Sequence, residues 1–139
     1  MKQLVADQDL ARRVLVDSAG TAAYHVGERA DRRARQFARA RGIALESRGR
    51  KFVDADFGTL DFVLAMDADN LSDLRALPGA AHFPGHLSLL RDFDPASPVG
   101  SDVPDPYYGG DAGFEEVLDL CEAACRGLLD HLRDDGRLD

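Results

Sequence analysis

Five consecutive apolar residues, Phe62-Val63-Leu64-Ala65-Met66, constrain the fold more than any other stretch of this chain. A strand that is apolar on both faces must be covered on both faces, which is the situation of a parallel sheet with helices above and below it. Asp67 stands where a helix N-cap belongs, ahead of a helix through Leu71 and Leu74 that Pro78-Gly79 ends. Two further runs fit the same sheet. Val14-Leu15-Val16 is β-type and opens into the small-residue loop Asp17-Ser18-Ala19-Gly20-Thr21. His86-Leu87-Ser88-Leu89-Leu90 supplies a third, weaker strand. The spacing predicts a helix over Asp31–Arg41 with Ala34, Phe37 and Ala38 inward and Gly42 as its stop. A short helical turn is expected over Phe57–Leu60, and Met1–Leu10 resembles the last turns of a helix. From Asp111 or Gly113 onward, Phe114, Val117, Leu118, Cys121, Ala124, Cys125, Leu128 and Leu132 keep the 3.6-residue period of an amphipathic helix. Strands alternating with helices make an α/β chain, and 139 residues suit one domain spanning 1–139.

The net charge of −8 argues against sequence-independent nucleic-acid binding, which needs clustered cations facing phosphate. No apolar run approaches the ~20 residues needed to span a bilayer, and the first residues lack the apolar centre of a signal peptide. The expectation is a cytoplasmic protein without nucleic-acid or membrane partners. Cys121 and Cys125 are four apart in one predicted helix, so they read as core side chains and not as a disulfide. His82 and His86 have a metal-binding interval, but Pro84-Gly85 between them breaks the helix that interval needs, so no metal site is expected. Arg32, Arg33, Arg35 and Arg39 read as a solvated outer helix face.

The stretch with the most chemistry in it is Asp105-Pro106-Tyr107-Tyr108-Gly109-Gly110. Pro106 biases Asp105 toward extended backbone. The tyrosines offer flat walls, the glycines a tight turn, and a long helix follows. A carboxylic acid on such a loop is placed to serve as a proton donor.

Three segments in order, Val16-Asp17-Ser18-Ala19-Gly20-Thr21, Val63-Leu64-Ala65-Met66-Asp67 with Asn70-Leu71, and Asp102-Val103-Pro104-Asp105-Pro106-Tyr107-Tyr108-Gly109-Gly110 with Phe114 and Val117, resemble the low-molecular-weight protein tyrosine phosphatase family. The resemblance implies a three-layer, parallel, flavodoxin-like α/β sheet and hydrolysis of a phosphomonoester through a cysteinyl-phosphate, with no cofactor. It implies that Asp105 is the general acid and that Tyr107 and Tyr108 wall the entrance. It also puts Asp31 and Tyr24 at the substrate rim and makes Ser18 the residue that steadies the phosphate loop. A further position of that support network, often histidine in the family, is Ser47 here. The implied substrate is a phosphotyrosine protein or a small phosphomonoester.

The family opens with a strand and a cysteine–five residues–arginine loop, whose thiolate attacks phosphorus while backbone N–H groups and the arginine hold the phosphate oxygens. No such stretch occurs in these residues: Cys125 directly precedes Arg126, and Cys121 is too close to it. The resemblance therefore implies a domain that starts inside the family's first helix and lacks the first, central strand, the nucleophile and the phosphate-gripping arginine. Three readings follow: a phosphatase lineage inactive as these residues alone, a non-catalytic binding or regulatory relative, and an arsenate reductase relative. The strand missing between Val14–Val16 and Phe62–Met66 leaves an apolar seam, which favours a homodimer through the gap.

Overall fold

The computed structural model describes residues 1–106 and 110–138. Its helices are α1 (Lys2–Asp7), α2 (Arg32–Ala40), α3 (Ala68–Arg75) and α4 (Asp111–Asp134), and its strands are β1 (Phe62–Ala65) and β2 (His86–Leu89). β1 and β2 pair in parallel, with Phe62 opposite His86 and Ala65 opposite Leu89.

The continuous apolar run of β1 is explained by what lies on each side. Val63, Ala65 and Leu89 face Phe52, Phe57, Leu71 and Leu74, so α3 and the 3₁₀ turn Asp54–Gly58 cover one face. Phe62 and Leu64 face a second core built from Leu4 and Val5 of α1 and Ala124, Cys125, Leu128, Leu129 and Leu132 of α4. The sheet is thus the middle of three layers. Leu129 is the most enclosed large side chain, 1% exposed. Burying a leucine to that degree stabilises by about 1.5–3 kcal/mol before entropy is counted.

Helix boundaries follow local chemistry. Asp31 caps α2 by accepting from the Arg33 and Ala34 N–H groups at 2.9 and 3.3 Å, and Gly42 follows at φ +78, a conformation few side chains tolerate. Asp67 caps α3, accepting from the Asn70 N–H at 2.7 Å. The turn expected over Phe57–Leu60 lies earlier, at Asp54–Gly58, because Asp56 accepts the Val53 N–H at 2.8 Å and winds the chain there. α3 stops at Arg75, and Pro78 starts a separate 3₁₀ turn through His82.

One expected strand does not form. Val14–Val16 keeps the alternation of a strand: Val14 and Val16 touch the α1/α4 core while Leu15 is 94% exposed. Its backbone nevertheless has no ladder. A strand needs a neighbour at about 4.8 Å, and among the described residues β1 has a single ladder partner, β2. Strand-type pairing resumes further along, in short bridges between Gly20 and Lys51 and between Val26 and Gly49.

Candidate active site at the carboxyl ends of the strands

In an open parallel sheet, ligands bind beyond the carboxyl ends of the strands. Three loops meet there. The chain leaving β1 accepts the Val103 N–H on the Met66 carbonyl at 2.7 Å. Asp102 then accepts the Ala68 N–H at 2.9 Å, so two carboxylates, Asp67 and Asp102, serve the first turn of α3. From the third loop, the Thr21 hydroxyl accepts from the Asn70 side-chain amide at 3.3 Å. Residues 17–21, 66–70 and 101–106 are therefore tied to one another around the start of α3. All three carry motif residues that the sequence singled out.

Two of the loops have braces of their own. Arg50 holds residues 17–21, pairing with Asp17 at 3.1 Å and with Asp56 at 3.0 Å. The Asp56 carboxyl is held below its usual range, mainly by the Val53 N–H and then by Arg50. Gly20 is clamped between the Arg50 carbonyl and the Phe52 N–H, each at 2.8 Å. Residues 101–106 are braced by Arg91, which donates to the Asp102 carbonyl and to the Ser97 hydroxyl. Asp94, buried, accepts from Ser97 Oγ at 2.7 Å and from the Ala96 N–H at 2.9 Å. Those two bonds, the hydroxyl first, hold its carboxyl below the ordinary range. Asp94, Ser97, Arg91 and Asp102 form a continuous support that runs from the end of β2 to the segment before Asp105. Sequence reading does not reach Arg91 and Asp94. The signal for them is position: an arginine two residues beyond a strand's carboxyl end, followed by aspartate and serine within one turn's reach.

Asp105 is exposed, two residues beyond the Val103 anchor. Ser18 is exposed on its loop, its N–H held by the Asp17 carboxylate at 2.8 Å. Tyr24 is 87% exposed, and Asp31 is exposed with its carboxylate engaged in capping α2. Tyr107 and Tyr108 lie outside the described residues. Ser47 accepts from Lys2 Nζ at 3.0 Å, which ties it to α1. Both cysteines are unpaired thiols, and burial, followed by the neighbouring Cys125, pushes the Cys121 thiol up to about 11. Both lie within α4, where Cys125 is part of the α1/α4 core and Cys121 packs against it.

The low molecular weight phosphotyrosine protein phosphatase family model matches residues 1–138. The chain belongs to that family. A low molecular weight protein-tyrosine-phosphatase of Streptomyces coelicolor is 44% identical over 131 residues, covering 94% of this chain and 80% of that protein. The human low molecular weight phosphotyrosine protein phosphatase is 35% identical over 130 residues, covering 93% and 81%. Among solved structures, a protein tyrosine phosphatase from Entamoeba histolytica, crystallised with Hepes in its active site, superposes with a TM-score of 0.87 at 35% identity. That match covers 99% of this chain and 86% of that one. The α/β, flavodoxin-like class follows from these neighbours and from the layered parallel sheet.

No helix among the described residues is long and apolar enough to cross a membrane.

Proposed function

We propose that these residues form the proton-donor half of a phosphotyrosine phosphatase site and that the 139-residue chain by itself does not turn over. Asp105 protonates the leaving phenolate, whose parent phenol has a pKa of about 10 and so departs poorly as an anion. Ser18 steadies the phosphate-binding side, while Tyr24, Asp31, Tyr107 and Tyr108 form the rim. The observation that carries this reading is the anchoring of the Asp105 segment to the carboxyl end of β1 through Val103 and Met66, beside the Thr21–Asn70 contact. A general acid contributes about 10²–10⁴ in rate. Without a thiolate nucleophile and an oxyanion site there is no covalent path for that acid to assist.

The test is p-nitrophenyl phosphate hydrolysis by a chain whose intact mass is verified. No vanadate-sensitive turnover is expected, and turnover that vanadate inhibits would refute the inactive reading. The side of β1 away from β2, which has no ladder partner among the described residues, is the surface we assign to pairing with a second copy. Sizing with light scattering should give twice the 15.1 kDa chain mass; a monodisperse monomer removes this part.

A further inference from the structure

We propose that the outer face of α2, together with Arg29 and Arg48, is a docking site for a short acidic segment of a partner protein. The four arginines of α2 do not share one environment. Arg33, although exposed, reaches across to α4, pairing with Asp111 at 3.1 Å and lying 4.6 Å over the Phe114 ring. Arg32 and Arg39, both exposed, and the half-buried Arg35 line a concavity of about 480 Å³ with Gln36 and Ala40. Arg35 and Arg39 also line an adjoining concavity with Arg29, Arg48, Leu45 and Glu46.

Two neighbouring arginines differ. Arg41 is engaged by Glu115 and by Asp119 at 2.8 Å, and Arg50 by Asp17 and Asp56. Among the described residues, no carboxylate lies within ion-pairing distance of Arg29, Arg32, Arg35, Arg39 or Arg48, Glu46 included. Arg35 and Arg48 spend one donor each on the backbone carbonyls of Ala30 and Gly27, both at 3.0 Å, which fixes their side chains while leaving further donors open. Arg29 and Arg48 stand opposite each other in a bridged pair, a like-charge arrangement that an anion between them would relieve.

Five guanidinium groups without a carboxylate partner among the described residues, on a protein of net charge −8, make a local field of opposite sign to the rest of the surface. That contrast selects the occupant. A nucleic acid or an anionic bilayer extends well past the patch, onto acidic surface that repels it. From Arg32 to Arg39 the helix advances about 10 Å, the reach of three or four residues of extended peptide at about 3.3 Å each. Guanidinium groups bind carboxylates through paired N–H donors. The site does not depend on catalysis, so it is measured by binding to the 139-residue chain itself.

Fluorescence anisotropy with a labelled Asp/Glu-rich octapeptide and a Ser/Gln control of equal length reads the interaction. The acidic peptide is expected to bind about tenfold tighter than the control, and less tightly as salt rises. The Arg32→Glu/Arg39→Glu pair should cost about tenfold or more, and Arg39→Gln alone a smaller share. Arg12→Glu/Arg75→Glu changes net charge equally at exposed sites elsewhere and should change affinity less than about twofold. Circular dichroism checks that each variant is folded. An acidic peptide held no tighter than the control, an equal loss in the Arg12/Arg75 pair, or tighter capture of anionic vesicles or single-stranded DNA by the same arginines each overturns the proposal.

Discussion

Setting a strand and a cysteine–five residues–arginine loop of the family's pattern ahead of Met1 is expected to give an active phosphatase, and Asp105→Asn in that protein should lower kcat on phosphotyrosine about 10²–10⁴-fold. The added strand would lie between Val14–Val16 and β1, supplying the ladder that Val14–Val16 lacks and covering the outer side of β1. Its loop would open beside residues 17–21 and 101–106, the two segments already fixed around α3. Leaving-group dependence separates a proton donor from a merely structural aspartate. Tyrosine leaves with a pKa of about 10 and needs the proton, whereas p-nitrophenolate is a stable anion and needs it far less. The loss should therefore be much larger on phosphotyrosine than on p-nitrophenyl phosphate. The acid-side protonation requirement should also vanish from the high-pH limb of kcat in Asp105→Asn. Equal losses on both substrates would assign Asp105 a positioning role only.

The parts of this fold that sequence could deliver are those specified locally. Phe62–Met66 announces a doubly covered strand because its own side chains demand two apolar faces, and both faces are covered. Asp67 and Gly42 mark helix ends because capping is a contact between near neighbours. The family is legible for a different reason: three ordered motifs lie on the three loops that meet at one end of the sheet. What sequence misses depends on partners distant in the chain. Val14–Val16 has strand composition, but pairing belongs to the neighbour. The apolar stripe of α4 omits Leu129 because Leu128 already occupies that step of the period; the helix is enclosed widely enough that both are buried. The Arg91–Asp94–Asp102 brace joins residues whose types are ordinary on any surface. The split of the α2 arginines, Arg33 paired with Asp111 of α4 and Arg32, Arg35 and Arg39 lining a concavity, is set by where α4 lies.

Gly127→Ala should destabilise the protein by about 3 kcal/mol, the reverse of what a helical glycine usually predicts. Within α4, replacing glycine by alanine ordinarily gains up to about 1 kcal/mol, because glycine loses more backbone freedom on folding. At Gly127 a Cβ would fall inside the envelope of the Phe93 carbonyl oxygen and 2.8 Å from its carbon. Both are backbone atoms and cannot rotate away as a side chain can. Phe93 ends the 3₁₀ turn Leu90–Phe93, and the next residue, Asp94, is pinned by its bonds to Ala96 and Ser97. The strain can be relieved only by lifting α4, which parts Leu128 and Leu129 from Leu90, or by shifting the turn, which disturbs the brace beneath Asp105. Overpacking of this kind costs typically about 1–3 kcal/mol and sometimes more. Gly113 in the same helix is the internal control: among the described residues the nearest neighbour atom would be 4.0 Å away, in Pro106, so Gly113→Ala should be neutral or slightly stabilising. Urea denaturation of the two variants at matched m-values reads the difference directly. A Gly127→Ala midpoint at or above that of Gly113→Ala would mean that α4 and the Leu90–Phe93 turn are not held in the close approach described here.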